Sequence, residues 1–122
     1  MQSRMLRFED SFRTVTDIRG VQAAEMTLAA GDSAGGPDDY HAGADQGLFV
    51  VDGRGEALLG AGDDHERIAL EPGSLLVIER GERHEIRNTG DAPLKTLNFY
   101  NPPAFDDEGE AVGPGRKAPG DR

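Results

Sequence analysis

Short strand-like segments of four to eight residues recur about every ten residues between positions 12 and 100, separated by clusters of Gly, Pro, Asp and Asn. A chain punctuated in this way has no room for long helices, and the spacing points to an all-β sandwich or barrel. It predicts strands over residues 12–18, 22–29, 46–52, 56–59, 67–70, 74–79, 84–88 and 94–100. Asp52-Gly53 and Pro72-Gly73 are reversal signals between them. No 3.6-residue period develops in the middle of the chain. Residues 2–13 are the one candidate for a short amphipathic piece. No internal repeat is present, so one barrel is expected rather than two. The expected division is an N-terminal segment with the first strand over 1–20, the barrel over 21–105, and a tail over 106–122. The tail contains AVGPGRKAPGDR and no apolar periodicity, which predicts disorder.

Composition narrows the chemistry. The chain has 122 residues, so a single domain is the default. It has no cysteine, which rules out disulfides, thiolate metal sites and cysteine nucleophiles within it. The formal net charge is −10, and eleven of the thirteen basic residues are arginine. Such acidity argues against nucleic acid as a partner, because neutralising phosphates needs a basic face. The start, MQSRMLRFEDSFR, lacks the apolar stretch of a signal peptide, and no apolar run is long enough to span a membrane. A soluble cytoplasmic protein is the expectation.

Period-two alternation sorts the faces of the strands. In RHEIRN the charged residues Arg83, Glu85 and Arg87 share one face, so His84, Ile86 and Asn88 point inward. Gln46 lies on the same face as Leu48 and Val50. Ala24, Met26 and Leu28 share another face and read as apolar lining or simply as core. In the last strand, Thr96, Asn98 and Tyr100 alternate with Leu97 and Phe99. If the polar set faces in, Asn98 and Tyr100 can orient a ligand. The need for an apolar face to seal the sheet favours Leu97 and Phe99 instead. Of the three histidines, His65 sits in the charged turn GAGDDHER and is expected at the surface. His41 lies in a glycine-rich loop with Asp39, two residues away. A lone inward histidine is more often a core residue than a ligand. Asp39, His41, Gln46 and His84 together form an N/O donor set suited to Fe, Mn, Zn, Ni or Cu. Other motifs fail: GRGEALLG lacks dinucleotide-loop spacing, and the acidic runs lack calcium-loop spacing.

The spacing of these residues resembles the cupin superfamily, in its small conserved-barrel form. That family's first motif is two histidines one residue apart, then a glutamate and a glycine. Here Asp39-x-His41 is followed after four residues by Gln46, and after six more by Gly53. Asp39 stands for the first histidine and Gln46 for the glutamate. The second motif is closer: Gly73, Gly81, His84 and Asn88 hold their family spacing, and Glu79 replaces a proline. The resemblance covers about residues 22–100. It implies a jelly-roll barrel with a divalent metal (Fe, Mn, Zn or Ni) held by Asp39, His41, Gln46 and His84. Two histidines and one carboxylate match the composition of non-haem iron sites. With a single carboxylate the ion would keep net positive charge and welcome an anionic oxygen of a small-molecule ligand. The resemblance further implies a pocket lined by Met26, Leu48, Val50, Ile86, Asn98 and Tyr100, and a homodimer paired through a sheet face. Two functions follow as expectations: a metal-dependent oxygenase or isomerase, or a metal-free barrel that binds a small ligand without catalysis. An interaction module, with the barrel as scaffold, is a third.

Overall fold

The computed structural model describes residues 1–18, 20–36, 43–60 and 66–105. These contain nine strands and no helix: β1 (Phe12–Ile18), β2 (Val21–Leu28), β3 (Ser33–Gly36), β4 (Asp45–Asp52), β5 (Gly55–Leu59), β6 (Glu66–Leu70), β7 (Leu75–Ile78), β8 (His84–Asn88) and β9 (Leu94–Asn101). Asp39, Tyr40, His41, His65 and the tail 106–122 lie outside the described residues.

The strands form two antiparallel sheets, ordered β1-β2-β9-β4-β7 and β3-β8-β5-β6, in a jelly-roll arrangement. The core between them is aliphatic. Met26, Leu28, Leu48, Val50, Ala57, Leu59, Leu70, Leu76, Ile78, Ile86 and Leu94 pack as one cluster. Gly53 turns β4 toward β5 at a φ of 92°, and a Cβ there would lie 2.4 Å from the Pro93 carbonyl oxygen. No other residue fits both conditions. Asn88 ends β8 and ties three segments together. Its Nδ2 donates to the carbonyls of Leu28 and Ala92, each at 2.9 Å, and its Oδ1 accepts from Gly90 N at 2.9 Å. The side chain thus replaces backbone partners that the turn cannot supply.

Three features differ from the sequence reading. β3 is absent from the predicted strands, because Ser33–Gly36 carries no apolar alternation. It is a strand by virtue of its neighbour, β8. Gly35 takes φ 79°, and a Cβ there would sit 2.8 Å from the His84 carbonyl oxygen, so glycine permits the close approach. The N-terminal stretch forms no amphipathic helix; residues 1–9 have no regular structure and bond to β1 and β2. Arg4 Nε donates to the Val15 carbonyl at 3.0 Å, where a bulge between Thr14 and Thr16 shifts the β1 register. Arg7 N donates to Glu25 Oε2 at 2.9 Å, and Arg13 Nε to Glu25 Oε1 at 2.7 Å. Glu25 is thereby fully buried on the outer side of β2. Burial pulls its carboxyl toward neutrality, but Arg13 and the backbone N–H groups of Arg7 and Phe8 outweigh that and hold it below the usual glutamate value.

The third difference is in β9. Thr96, Asn98 and Tyr100 face the interior and are buried, while Phe99 is exposed and Leu97 half-buried. The polar set goes in because its members satisfy one another. Thr96 Oγ1 donates to Asn98 Oδ1 at 2.9 Å, and Asn98 Nδ2 donates to the Tyr100 hydroxyl at 3.4 Å. The excluded apolar side chains meet their like outside. Phe49, Val51, Leu75, Val77 and Phe99 are all exposed, on neighbouring strands of the same sheet face.

Candidate functional site

The inner face of the five-stranded sheet is built in cross-strand rows. Met26, Thr96 and Val50 form one, and Ala24, Asn98, Leu48 and Leu76 the next. Gln22, Tyr100, Gln46 and Ile78 form the row at the end of the barrel. No side chain in these rows is charged, and polarity rises toward the Gln46 end. Burial and the Asn98 hydrogen bond act on the Tyr100 phenol in opposite senses. Burial is the larger, pushes its pKa up and keeps the hydroxyl protonated. Gln46 is only 4% exposed, and its Oε1 is buried without a hydrogen-bond partner. A buried amide oxygen in that condition costs about 1–3 kcal/mol unless a ligand, ion or water supplies the missing contact.

His84 opens β8 on the facing sheet, paired with Leu59 at the end of β5 and Gly36 at the end of β3. It is buried, and its Nδ1 lies 3.1 Å from the Glu82 carbonyl oxygen. That contact is made by a proton on Nδ1, and in the neutral imidazole the lone pair then lies on Nε2. Gln46 and His84 belong to the same end of the barrel. Gln46 is paired with Ile78, the last residue of β7, and residues 79–83 alone separate Ile78 from His84. Arg80 in that turn grips Asp45 at the head of β4, through its backbone N at 2.9 Å and through Nε and Nη2 at 3.3 and 3.0 Å. The Arg80 hydrogen bonds hold the Asp45 carboxyl below its usual value. The rim between the two sheets is therefore braced where Gln46 and His84 stand.

Of the four residues in the expected ligand set, Gln46 and His84 are described, and Asp39 and His41 lie outside the described residues. The flanking positions belong to this same end: Gly36 pairs with His84, and Asp45 precedes Gln46. Among the described residues no group of three or more His, Asp or Glu side chains could hold a metal. The two donors that are described do fit one. Gln46 offers an orphaned oxygen, and His84 has the Nδ1–H···O=C support that metal-binding imidazoles use. Met26, Leu48, Val50 and Ile86 pack within the aliphatic cluster, while Asn98 and Tyr100 face the interior beside Gln46. A cavity of about 310 Å³ lies at the opposite end, lined by turn residues including Asp52, Arg54 and Asp91, far along β4 from Gln46.

Sequence reasoning passed over Gln22. Its amide Oε1 accepts from the backbone N–H groups of Ala104 and Phe105, both at 3.2 Å, and its Nε2 donates to the Phe105 carbonyl at 2.9 Å. The alternation that places Ala24 and Met26 inward, extended back by two residues, would have placed Gln22 there as well.

Two antiparallel sheets with a polar interior at one end define the double-stranded β-helix class of barrel. The chain belongs to the cupin family: the Cupin domain model matches residues 21–100. Among curated proteins it is 31% identical over 104 residues to the YrkC protein of Bacillus subtilis, covering 83% of this chain and 55% of that one. It is 33% identical over 85 residues to L-ectoine synthase of Saccharopolyspora erythraea, covering 69% of this chain and 57% of that one. The chain thus spans just over half the length of the curated relatives it matches. Among solved structures, BH2720 from Bacillus halodurans superposes with a TM-score of 0.72 at 27% identity, over 84% of this chain and 75% of that one. No helix among the described residues is long and apolar enough to cross a membrane.

Proposed function

We propose that the barrel binds a small polar molecule at its Gln46–His84 end, together with a divalent ion, Fe, Mn, Zn or Ni, held by Asp39, His41, Gln46 and His84. The observation that carries this reading is the orphaned Gln46 Oε1, buried on the interior face in a row with Tyr100. When bound, the ion supplies Lewis acidity or oxygen activation for an isomerase- or oxygenase-type reaction on the ligand. The chain's own residues do the rest. His84 presents Nε2 while Glu82 holds its Nδ1 proton. The neutral Thr96–Asn98–Tyr100 relay orients ligand hydroxyl or carbonyl groups without competing for the ion. The aliphatic cluster below excludes water. A net-positive ion site favours an anionic oxygen on the ligand. The relative named L-ectoine synthase supports an enzymatic role for the barrel.

The test is elemental analysis of protein purified without chelator, beside His84→Ala. Near-stoichiometric metal in the wild type and its loss in the variant are expected; full metal retention by His84→Ala overturns the site. A second reading, a metal-free ligand-binding barrel, is favoured by the neutral glutamine where the family motif has glutamate. It becomes the conclusion if the wild type takes up none of Mn, Fe, Ni or Zn on soaking.

The partner we propose for the outer face of β9, β4 and β7 is a second copy of the chain. Support comes from Phe49, Val51, Leu75, Val77 and Phe99, five exposed apolar side chains on neighbouring strands of an otherwise acidic protein. Sedimentation at about 50 µM should give a dimer, and Leu75→Lys with Val77→Lys a monomer. A monomeric wild type would end this reading.

A further inference from the structure

After β9 the chain does not leave the barrel. Residues 102–105 fold back against it, and Ala104 is fully buried. Phe105 lays its ring on the two aromatic residues of the interior wall beside it. The ring centroids are 5.0 Å from Tyr100, in an edge-on contact, and 4.8 Å from Phe12. Ala24, Ala44, Tyr100 and Ala104 form a second cluster with Phe12 and Phe105, which meets the main core through Phe12. Two of its members lie close to Gln46: Ala44 is two residues before it in the chain, and Tyr100 is paired with it across the strands. One side chain binds the segment's backbone at three points. Gln22 receives the N–H groups of both Ala104 and Phe105 and returns its own N–H to the Phe105 carbonyl. Asp17 Oδ2, 3.5 Å from Gln22 Nε2, is a weaker second acceptor.

A buried glutamine that meets three backbone groups of one short segment is a clasp. Neither Ala104 nor Phe105 belongs to the main aliphatic cluster, so the segment can lift without opening that cluster. We infer that residues 102–105 are a gate over the Tyr100 side of the interior, and that Gln22 is the positioning residue that keeps it shut. This rests on the reading that the interior at Gln46 receives a small molecule, and it names how entry to that interior is controlled. With the clasp closed, Phe105 covers the Tyr100 ring and water is kept from the relay. With it open, the wall beside Gln46 is exposed. A ligand that contacts the Phe105 ring would hold the gate shut behind it.

The experiment uses tetranitromethane as a small probe that nitrates accessible tyrosine, with peptide mapping to read Tyr100 separately from Tyr40. It needs neither metal nor ligand, so it stands or falls independently of the proposed function. In the wild type, Tyr100 should react at least tenfold more slowly than free N-acetyltyrosine. Gln22→Leu keeps the volume and removes the clasp, and should raise the rate tenfold or more while the far-UV circular dichroism is unchanged. Gln22→Glu keeps the acceptor for the two N–H groups and should fall between. The ionisation midpoint of Tyr100, held high by burial, should drop toward that of free tyrosine in Gln22→Leu. Should that variant not fold, Phe105→Ala removes the ring and leaves the clasp, and should expose Tyr100 in the same way. Fast nitration of Tyr100 in the wild type, or slow nitration in both Gln22→Leu and Phe105→Ala, would overturn the gate.

Discussion

Replacing Arg13 with methionine isolates the ion pair it makes with the fully buried Glu25. The substitution keeps the aliphatic stem over β2 and removes the guanidinium. Glu25, fully buried, then loses its 2.7 Å partner and retains the backbone N–H of Arg7 at 2.9 Å together with that of Phe8. Removing one member of a buried ion pair costs about 3–5 kcal/mol. Arg13 is itself 25% exposed and two backbone donors remain, so the expected loss is nearer about 2–3 kcal/mol. For a domain of this size that corresponds to a fall in Tm of roughly 6–12 °C. Urea denaturation at a series of pH values is the assay, because the pH dependence carries the mechanism. In the wild type the folded Glu25 carboxyl titrates below its unfolded value. Its contribution to stability is therefore present above the unfolded value and lost as pH falls through the folded one. Protonated Glu25 no longer needs Arg13. The gap between wild type and Arg13→Met should thus be widest near neutrality and should shrink steadily below about pH 4.5. A gap of the same size at pH 7 and pH 3 would refute the electrostatic argument and leave only lost packing.

Other expectations follow from the same geometry. Asn88→Ala strands two carbonyls and one N–H group, and should cost about 2–4 kcal/mol in urea denaturation; a change under about 1 kcal/mol would mean water replaces the side chain. Gly53→Ala meets both a φ of 92° and the Pro93 carbonyl, and should lower stability by about 2 kcal/mol or more, read as a shift in Tm. Leu48→Ala opens a cavity in the fully buried core and should cost about 2–5 kcal/mol. Gln46→Glu adds a carboxylate at the same end of the barrel as His84 and should tighten Mn(II) binding in calorimetric titration; weaker binding would place Gln46 off the ion.

Alternation did most of the sequence reading's work, and its failures are instructive. It placed His84 and Gln46 inward because charged or apolar neighbours fixed the phase, and both are buried. On β9 the phase was visible but the choice of face was not. The rule that an apolar face seals a sheet assumes a single apolar face, and here Leu97 and Phe99 lie outside beside Phe49 and Leu75. The relay of Thr96, Asn98 and Tyr100 makes the polar face affordable inside. β3 carries no local signal, since two of its four residues are glycine and its partner β8 imposes the strand. Glu25 gives no sign of burial either. It sits at an outward position of β2, and only residues 1–9, bonded across it from distant sequence, take it from water.

The order of strands in the larger sheet bears on how the chain is made. β9, the last strand in sequence, occupies the middle, between β2 and β4. Until residues 94–101 leave the ribosome, the β1–β2 hairpin and the β4–β7 pair share no ladder, and each offers an open edge. Between the completion of β7 at residue 78 and the arrival of β9 at residue 94, the nascent chain therefore has two half-sheets with no strand to join them. Their union comes in one late step, and the strand that closes the gap is also the one that carries the interior relay. A polypeptide stopped before residue 94 would keep all the strands of the smaller sheet and lack the one that joins β2 to β4 in the larger.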